Sequence, residues 1–306
     1  MSISVVIPAY NASRFIAATL ESVLSQSLPA DEILVVDDGS TDDTAAIAEN
    51  FGPPVRVFRR PNSRQGASRN FGAQQAAGEW IAFIDADDLW EPNKLERQME
   101  ELSKHPDADI CYTARVRFTQ EEDAIRIIPT PSYDIPFAPA QKIREGLFRC
   151  VTFLPSSAVI RRSAFLAAGG FNDQRTSEDW DLWLRLLHRG TKFASCSEPL
   201  LLYRLHGNNV TVTSNKLTIY QENMSVYRAH VVPHLTGPRR WIAPARYFSP
   251  LNADIAYLLR EKGDPRCLSV MTASILQWPF GDLTRYKGWL HMLLTRLNVI
   301  AKRARK

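Results

Sequence analysis

No stretch of this 306-residue chain approaches the roughly 18 consecutive apolar residues that cross a bilayer, so no membrane span is expected. Cysteine is scarce. Cys111, Cys150, Cys196 and Cys267 are far apart and form no C-x-x-C pair, which argues against a zinc site or a disulfide framework and fits a reducing cytoplasm. The first apolar run is not followed by G-x-G-x-x-G, which disfavours a Rossmann redox enzyme or methyltransferase. The opening, Met1 to Pro8, lacks the basic n-region of a signal peptide and runs straight into a strand. There is no internal repeat.

What is present is an ordinary globular balance of 45% hydrophobic and 23% charged residues, at a length that permits one large domain and an appendage. The net charge of +4 hides an asymmetry. From residue 221 onward there are 14 basic against 5 acidic residues, a balance of +9, whereas residues 1–220 carry −5. A basic end on an acidic body points to an anionic partner for that end.

The first third alternates strands and helices. Ser4-Val5-Val6-Ile7 reads as a buried strand stopped by Pro8, followed by a helix over 13–27 with Phe15, Ile16, Leu20, Val23 and Leu24 at helical spacing. Glu32 to Val36 is a second strand, and Ser40 or Thr41 can cap a helix running to Asn50. Val55 to Phe58, a helix over 66–77 and Trp80 to Ile84 continue the pattern. Strands separated by helices of this length predict a mostly parallel central sheet flanked by helices, an α/β fold. Ile110 to Tyr112 and Ala158 to Ile160 read as further strands. Pro129, Pro131, Pro136 and Pro139 mark a long loop between them. Helical spacing returns at 179–188, and beyond about 215 the chain reads as helices rich in Arg, Trp and Tyr.

In parallel sheets, ligands bind beyond the carboxyl ends of the strands. The polar clusters fall there: Pro8-Ala9-Tyr10-Asn11, Asp37-Asp38, and Asp85-Ala86-Asp87-Asp88. An isolated D-x-D is most often a solvated turn. Three such clusters on one sheet edge describe a cleft. Asp85 and Asp87 can hold Mg²⁺ or Mn²⁺ with positions left for phosphate oxygens, as departure of a nucleotide diphosphate requires. Tyr10 suits stacking on a base. Glu178-Asp179 opens a helix, where a carboxylate is held rigidly enough for a general base, although acids there also simply complement the helix dipole. His206 is a loop histidine able to ligate a metal.

The ordered set resembles a family 2 glycosyltransferase of the GT-A fold. It comprises Val5 to Asn11, Ile33 to Asp42, Gly66 to Asn70, Gly78 to Asp88, Gly169-Gly170-Phe171, Ser177 to Asp181 and Tyr203 to His206. The resemblance covers residues 3–207, about two thirds of the chain, and it implies roles. Pro8, Ala9 and Tyr10 line the nucleoside pocket, Asp38 meets the base, Arg69 lies near base or diphosphate, and Asp85 lies near the ribose. Asp87 binds the metal, His206 adds a contact to metal or diphosphate, and Asp179 is the catalytic base, with Glu178 and Trp180 on the acceptor side. It also implies single displacement with inversion, from a nucleotide-diphosphate sugar (UDP favoured) to an acceptor hydroxyl. Processive members carry Gln-x-x-Arg-Trp after the Glu-Asp element; Trp183 to Leu187 departs from that, so one sugar per visit is expected.

The catalytic domain is expected over 1–215 and a basic helical extension over 216–306. At 283–306 a stripe of Trp289, Leu290, Leu293, Leu297, Ile300 and Ala304 lies beside Arg285, Lys287, Arg296, Lys302, Arg303, Arg305 and Lys306. That pattern predicts an interfacial helix on anionic lipid, and hence a cytoplasmic enzyme peripheral on the cytoplasmic membrane face. The corresponding acceptor is a lipid-linked glycan in bacterial surface polysaccharide assembly. A helix packed on the body is the alternative, and no nucleic-acid motif accompanies the charge. Two other readings compete. A nucleotidyltransferase on a related sheet would want a Gly-rich loop where Pro8 to Asn11 stand, and an inactive nucleotide-sugar-binding protein would have no need of both carboxylate pairs.

Overall fold

The structure is a computed structural model that describes residues 1–121, 124–129, 137–207, 209 and 216–304. The chain divides into two compact units, Met1–Thr213 and Ser214–Lys306.

The first unit begins with β1 (Ile3–Ala9), α1 (Ile16–Leu24), β2 (Glu32–Asp37), α2 (Thr44–Glu49), β3 (Val55–Arg59), α3 (Gln65–Gln75) and β4 (Trp80–Phe83). β1 lies between β2 and β4, and β3 flanks β2, all parallel. β1, β2 and β4 are mostly apolar because both faces are covered, with Val5, Val6, Ile7, Leu34, Val35 and Val36 all buried, whereas the edge strand β3 carries Arg56 and Arg59 and is partly exposed. The α1 face of Ile16, Leu20 and Val23 closes on this core. Pro8 does not stop β1 but lies inside it. Pairing with β4 ends at Val6 opposite Phe83, so the N–H that Pro8 lacks is not needed there.

The remainder of the unit comprises β5 (Leu89–Trp90), α4 (Lys94–Lys104), β6 (Ile110–Glu121), β7 (Ala124–Ile128), α5 (Ile143–Leu147), β8 (Ala158–Arg161), α6 (Arg162–Ala167), α7 (Glu178–His188) and β9 (Phe193–Arg204). The strand order is β3-β2-β1-β4-β8-β6-β9-β5, with β7 beside β6. The first half of the sheet is parallel and the second is mixed. β8 runs antiparallel to β4 and β6, β5 antiparallel to β9 and β7 antiparallel to β6, while β6 and β9 run parallel. β6 extends far past the expected Ile110–Tyr112. Its continuation alternates Arg115, Val116, Arg117 and Phe118, so it shows no apolar run. In the Pro-rich stretch, Pro131 and Pro136 lie outside the described residues.

The second unit is helical: α8 (Lys216–Val226), α9 (Arg239–Glu261), α10 (Cys267–Gln277) and α11 (Thr284–Ala304). Ala253, Ala256, Met271 and Met292 form a small core, with Tyr257 and Trp289 packed against it. The expected tail stripe is divided. Trp289 turns inward and its indole N–H donates to Thr272 Oγ1 at 2.9 Å, whereas Leu290, Leu294 and Leu297 are exposed. Arg285 is no surface cation: it is buried, with Nη2 donating to the Trp278 carbonyl at 2.8 Å. Ile300 and Ala304 lie outside the residues whose side chains are described. No helix among the described residues is long and apolar enough to cross a membrane.

The seating of α3 on the sheet depends on Gly72. A β-carbon there would lie 2.4 Å from Val6 Cγ1 and 3.2 Å from Val36 Cγ2. Alanine is the better helix former by about 1 kcal/mol, but overpacking a close-packed contact costs about 1–3 kcal/mol. Gly72→Ala is therefore expected to lower unfolding stability in urea by about 1–2 kcal/mol. Neutral or increased stability would show that α3 is not seated this closely.

Candidate active site

The carboxyl ends of β1, β2 and β4 are adjacent because the strands are. The Ala9 carbonyl accepts from the Asp38 N–H at 2.8 Å, joining the first two ends. Asn11 adopts a left-handed φ of 48° and bridges the same two loops. Its N–H donates to Ser40 Oγ at 3.0 Å and its Oδ1 accepts from the Thr41 N–H at 2.8 Å. Ser40 and Thr41 thus serve this bridge instead of capping α2. Asp38 is buried and its Oδ1 accepts from both the N–H and the hydroxyl of Ser63, each at 2.9 Å. Pro8 and Ala9 are buried within β1, leaving Tyr10, 52% exposed, as the open face of that loop. The neighbouring Asp37, named in that cluster but given no role of its own, has its Oδ1 buried with no hydrogen-bond partner among the described residues.

After β4, each acid has its own environment. The Asp85 N–H donates to Ser156 Oγ at 3.0 Å, and Asp85 Oδ1 accepts from Arg69 Nη2 at 2.5 Å. Asp88 is fully buried and its Oδ1 accepts from the Arg204 N–H at 3.1 Å. Burial, reinforced by the charges of Asp87 and Asp85, raises the Asp88 pKa well above the usual carboxylate range. Asp87 instead meets His206, with Oδ2 and Nε2 2.8 Å apart, and the His206 ring rests on Phe15 at 4.6 Å between centroids. Residues 119 apart in sequence are thereby brought together.

Arg69, expected near base or diphosphate, is an interior side chain. It is 1% exposed, with Nη2 on Asp85 and Nη1 donating to Glu178 Oε1 at 3.1 Å. Burial disfavours its charge, but Asp85, Glu178 and Asp179 outweigh this and raise its pKa. Glu178 Oε1 also accepts from Gln65 Nε2 at 2.7 Å, and burial pushes the Glu178 pKa up despite Arg69. The start of α7 is fixed from a second direction by Asn70, whose amide donates to the Phe171 carbonyl at 2.7 Å and accepts from its N–H at 2.8 Å.

Asp179 stands beside this cluster and its Oδ1 accepts from the Trp180 N–H at 2.7 Å. Burial and then the charge of Glu178 push its pKa up to about 8, against the opposing pull of the Trp180 N–H and Arg69. Trp180 corrects the expectation of an acceptor-side ring. It is 2% exposed and its indole N–H donates to the Leu147 carbonyl at 2.8 Å, so it anchors α7 in the core.

Among the described residues no three His, Cys, Asp or Glu side chains form a closed metal cage. The Asp87–His206 pair offers one oxygen and one nitrogen at the separation, about 3 Å, of two donors sharing a small divalent cation, with further positions open to phosphate oxygens.

Comparison with known proteins gives a consistent picture. Residues 4–167 match Glycosyl transferase family 2. The TuaG glycosyltransferase of Bacillus subtilis, provisionally assigned to teichuronic acid biosynthesis, is 30% identical over 234 residues, 74% of this chain and 87% of that protein. The amylovoran biosynthesis glycosyltransferase AmsB of Erwinia amylovora is 29% identical over 215 residues, 67% of this chain and 70% of that protein. Two other relatives are longer, the match spanning 38% of their length. Among solved structures, S. aureus TarS 1–349 in complex with UDP-GlcNAc superposes with a TM-score of 0.68 over 90% of this chain and 81% of that one, at 18% identity.

Removing the Arg69 cation would strand Glu178 in the interior. Breaking a buried ion pair from one side costs about 3–5 kcal/mol, and the partial exposure of Asp85 puts Arg69→Met at the lower end, about 3 kcal/mol. Urea unfolding checks this. A loss below about 1 kcal/mol would show that the clasp is not structural.

Proposed function

The chain belongs to glycosyl transferase family 2, and on that premise we propose that it transfers one sugar from a nucleotide-diphosphate sugar, preferentially a UDP-sugar, to an acceptor hydroxyl with inversion. The observation that carries this reading is the clasp of Arg69 between Asp85 and Glu178, which sets a carboxylate of raised pKa, Asp179, beside the strand ends. The names of TuaG and AmsB support an acceptor in surface polysaccharide assembly.

In this mechanism the Tyr10 ring stacks on the base, Asp38 bonds its edge, and Asp85 bonds the ribose. Asp179 takes the proton from the acceptor hydroxyl as that oxygen bonds to the anomeric carbon. The bond from that carbon to the diphosphate oxygen breaks on the opposite face, and the configuration inverts. Burial, together with the charge of Glu178 held by Gln65 and Arg69, keeps the Asp179 proton affinity high enough for the transfer. Asp87 and His206 would hold Mn²⁺ or Mg²⁺, whose charge would offset the charge growing on the departing diphosphate.

The second unit supports a peripheral place on an anionic, cytoplasmic-side membrane surface, where a lipid-linked glycan acceptor resides. Leu276, Phe280 and Leu283 crowd the turn between α10 and α11 in full exposure, Phe280 at 84%. Leu290, Leu294 and Leu297 continue that exposed face, in a segment whose charge from residue 221 onward is +9. Exposed apolar side chains in a segment of strongly basic balance fit an anionic interface.

Two outcomes are expected. Activity requires ionised Asp179, and a raised pKa means that the proton is lost only as pH climbs. The value of kcat/KM should therefore rise with pH, reach half its maximum near about 8 and level off above that, and Asp179→Asn should lower it by about 10²–10⁴-fold with nucleotide affinity retained. A flat pH profile between about 6 and 9, or an active Asn variant, would overturn the base assignment. The membrane reading is checked with phosphatidylglycerol-containing vesicles. The Phe280→Asp, Leu283→Asp double variant should lose sedimentation with them while transfer to a soluble acceptor persists. Equal sedimentation of variant and wild type would remove the membrane reading.

A further inference from the structure

Arg204 ends β9 and is 3% exposed, so its guanidinium is a fixed interior cation. It grips the acidic turn twice: its N–H donates to Asp88 Oδ1 at 3.1 Å, and its Nε donates to the Asp87 carbonyl at 2.6 Å. Nη1 donates to Gln120 Oε1, and the guanidinium lies 4.6 Å from the Phe118 ring centroid and 5.1 Å from that of Phe15. Phe15 is the same ring on which His206 rests. On the other strand-end side, the Arg204 carbonyl accepts from Asn209 Nδ2 at 3.1 Å, and Asn209 Oδ1 accepts from the His206 N–H at 2.6 Å. Both members of the 2.8 Å Asp87–His206 pair are therefore tied to one side chain and its backbone.

We infer that Arg204 is a positioning residue that holds Asp87 and His206 at the separation a shared divalent cation requires. This rests on the metal reading of that pair given above. The planar, forked guanidinium is suited to the task. It reaches the Asp87 carbonyl and Gln120 together while stacking on two rings, and a lysine ammonium keeps the charge but cannot make that set of contacts. Groups that orient metal ligands in this way typically alter metal affinity by about 10- to 100-fold when replaced. Arg204 touches neither donor nor acceptor in this scheme. Its effect should appear in metal dependence and not in metal-free nucleotide binding.

The test uses the full chain, with Mn²⁺ binding followed by the electron paramagnetic resonance of the free ion and UDP binding followed by thermal shift in EDTA. Arg204→Lys should weaken Mn²⁺ binding by about 10-fold or more while the EDTA measurement stays at the wild-type value. Asn209→Ala, which leaves Arg204 and its grip on the acidic turn in place, should weaken Mn²⁺ in the same direction and covers the case in which Arg204→Lys fails to fold. In a His206→Ala background the Arg204→Lys effect should largely vanish, since the pair it positions is gone. A folded Arg204→Lys protein, or failing that an Asn209→Ala protein, with Mn²⁺ affinity within about twofold of wild type would overturn the inference alone. So would an undiminished effect in the His206→Ala background. A wild type that shows no Mn²⁺ binding would overturn the metal reading of Asp87 and His206, and this role with it.

Discussion

The clasp of Arg69 between Asp85 and Glu178 is the interaction on which the organisation of the site depends. A guanidinium 1% exposed has lost its water, and the carboxylates of Asp85 and Glu178, with Asp179 acting through space, offset that loss. They come from positions 16 and 109 residues away, so their charge fixes the end of β4 and the start of α7 relative to α3. A close approach of α3 to the sheet, possible because position 72 has no side chain, brings the cation within reach. Asp179 inherits its surroundings from this arrangement, with Glu178 beside it in sequence and Arg69 acting through space.

The acidic turn after β4 is held at both ends by interior cations. Asp85 bonds the Arg69 guanidinium and the Asp87 carbonyl that of Arg204, while the Asp88 carboxylate accepts from the Arg204 backbone N–H. What is left unclaimed by either guanidinium is the Asp87 side chain, which meets His206. Two fixed positive charges lie inside, and at the rim the carboxylates of Asp85 and Asp87 are part-exposed. An anionic diphosphate would approach such a rim poorly unless a cation came with it, and this physical demand is what joins the electrostatics to the proposed chemistry.

The second unit obeys a different rule. Its core is small, and Trp289 and Met292 are used to build it, which leaves the leucines of α11 and the turn before it facing outward. Exposed Phe280 and its neighbours cost hydrophobic free energy unless something covers them. The anionic surface proposed above would supply that cover and meet the basic balance of the same region.

The sequence by itself determined the parallel half of the fold. Val5 to Ile7, Ile33 to Val36 and Trp80 to Phe83 are short apolar runs separated by helices, and that pattern has few solutions other than a covered parallel sheet. It also located the polar clusters at the strand ends, because chain order and strand direction fix which end each loop occupies. What only the tertiary structure decided were the pairings across long gaps. Local pattern cannot tell that Arg69 is interior, since its partners lie 16 and 109 residues away. Nor can it tell that Trp180 points into the core, because α7 buries more than one face and its periodicity leaves the choice open. Arg204 carried no signal beyond its place two residues before His206; its importance arises from β9 lying beside β6 and β5. The alternating polar residues of β6 hid the longer strand for a related reason, and the division of the tail stripe depended on which α11 residues the helices α9 and α10 would cover. Secondary structure and strand-end position follow from neighbours in sequence, whereas the burial of a charge is set by what the fold brings against it.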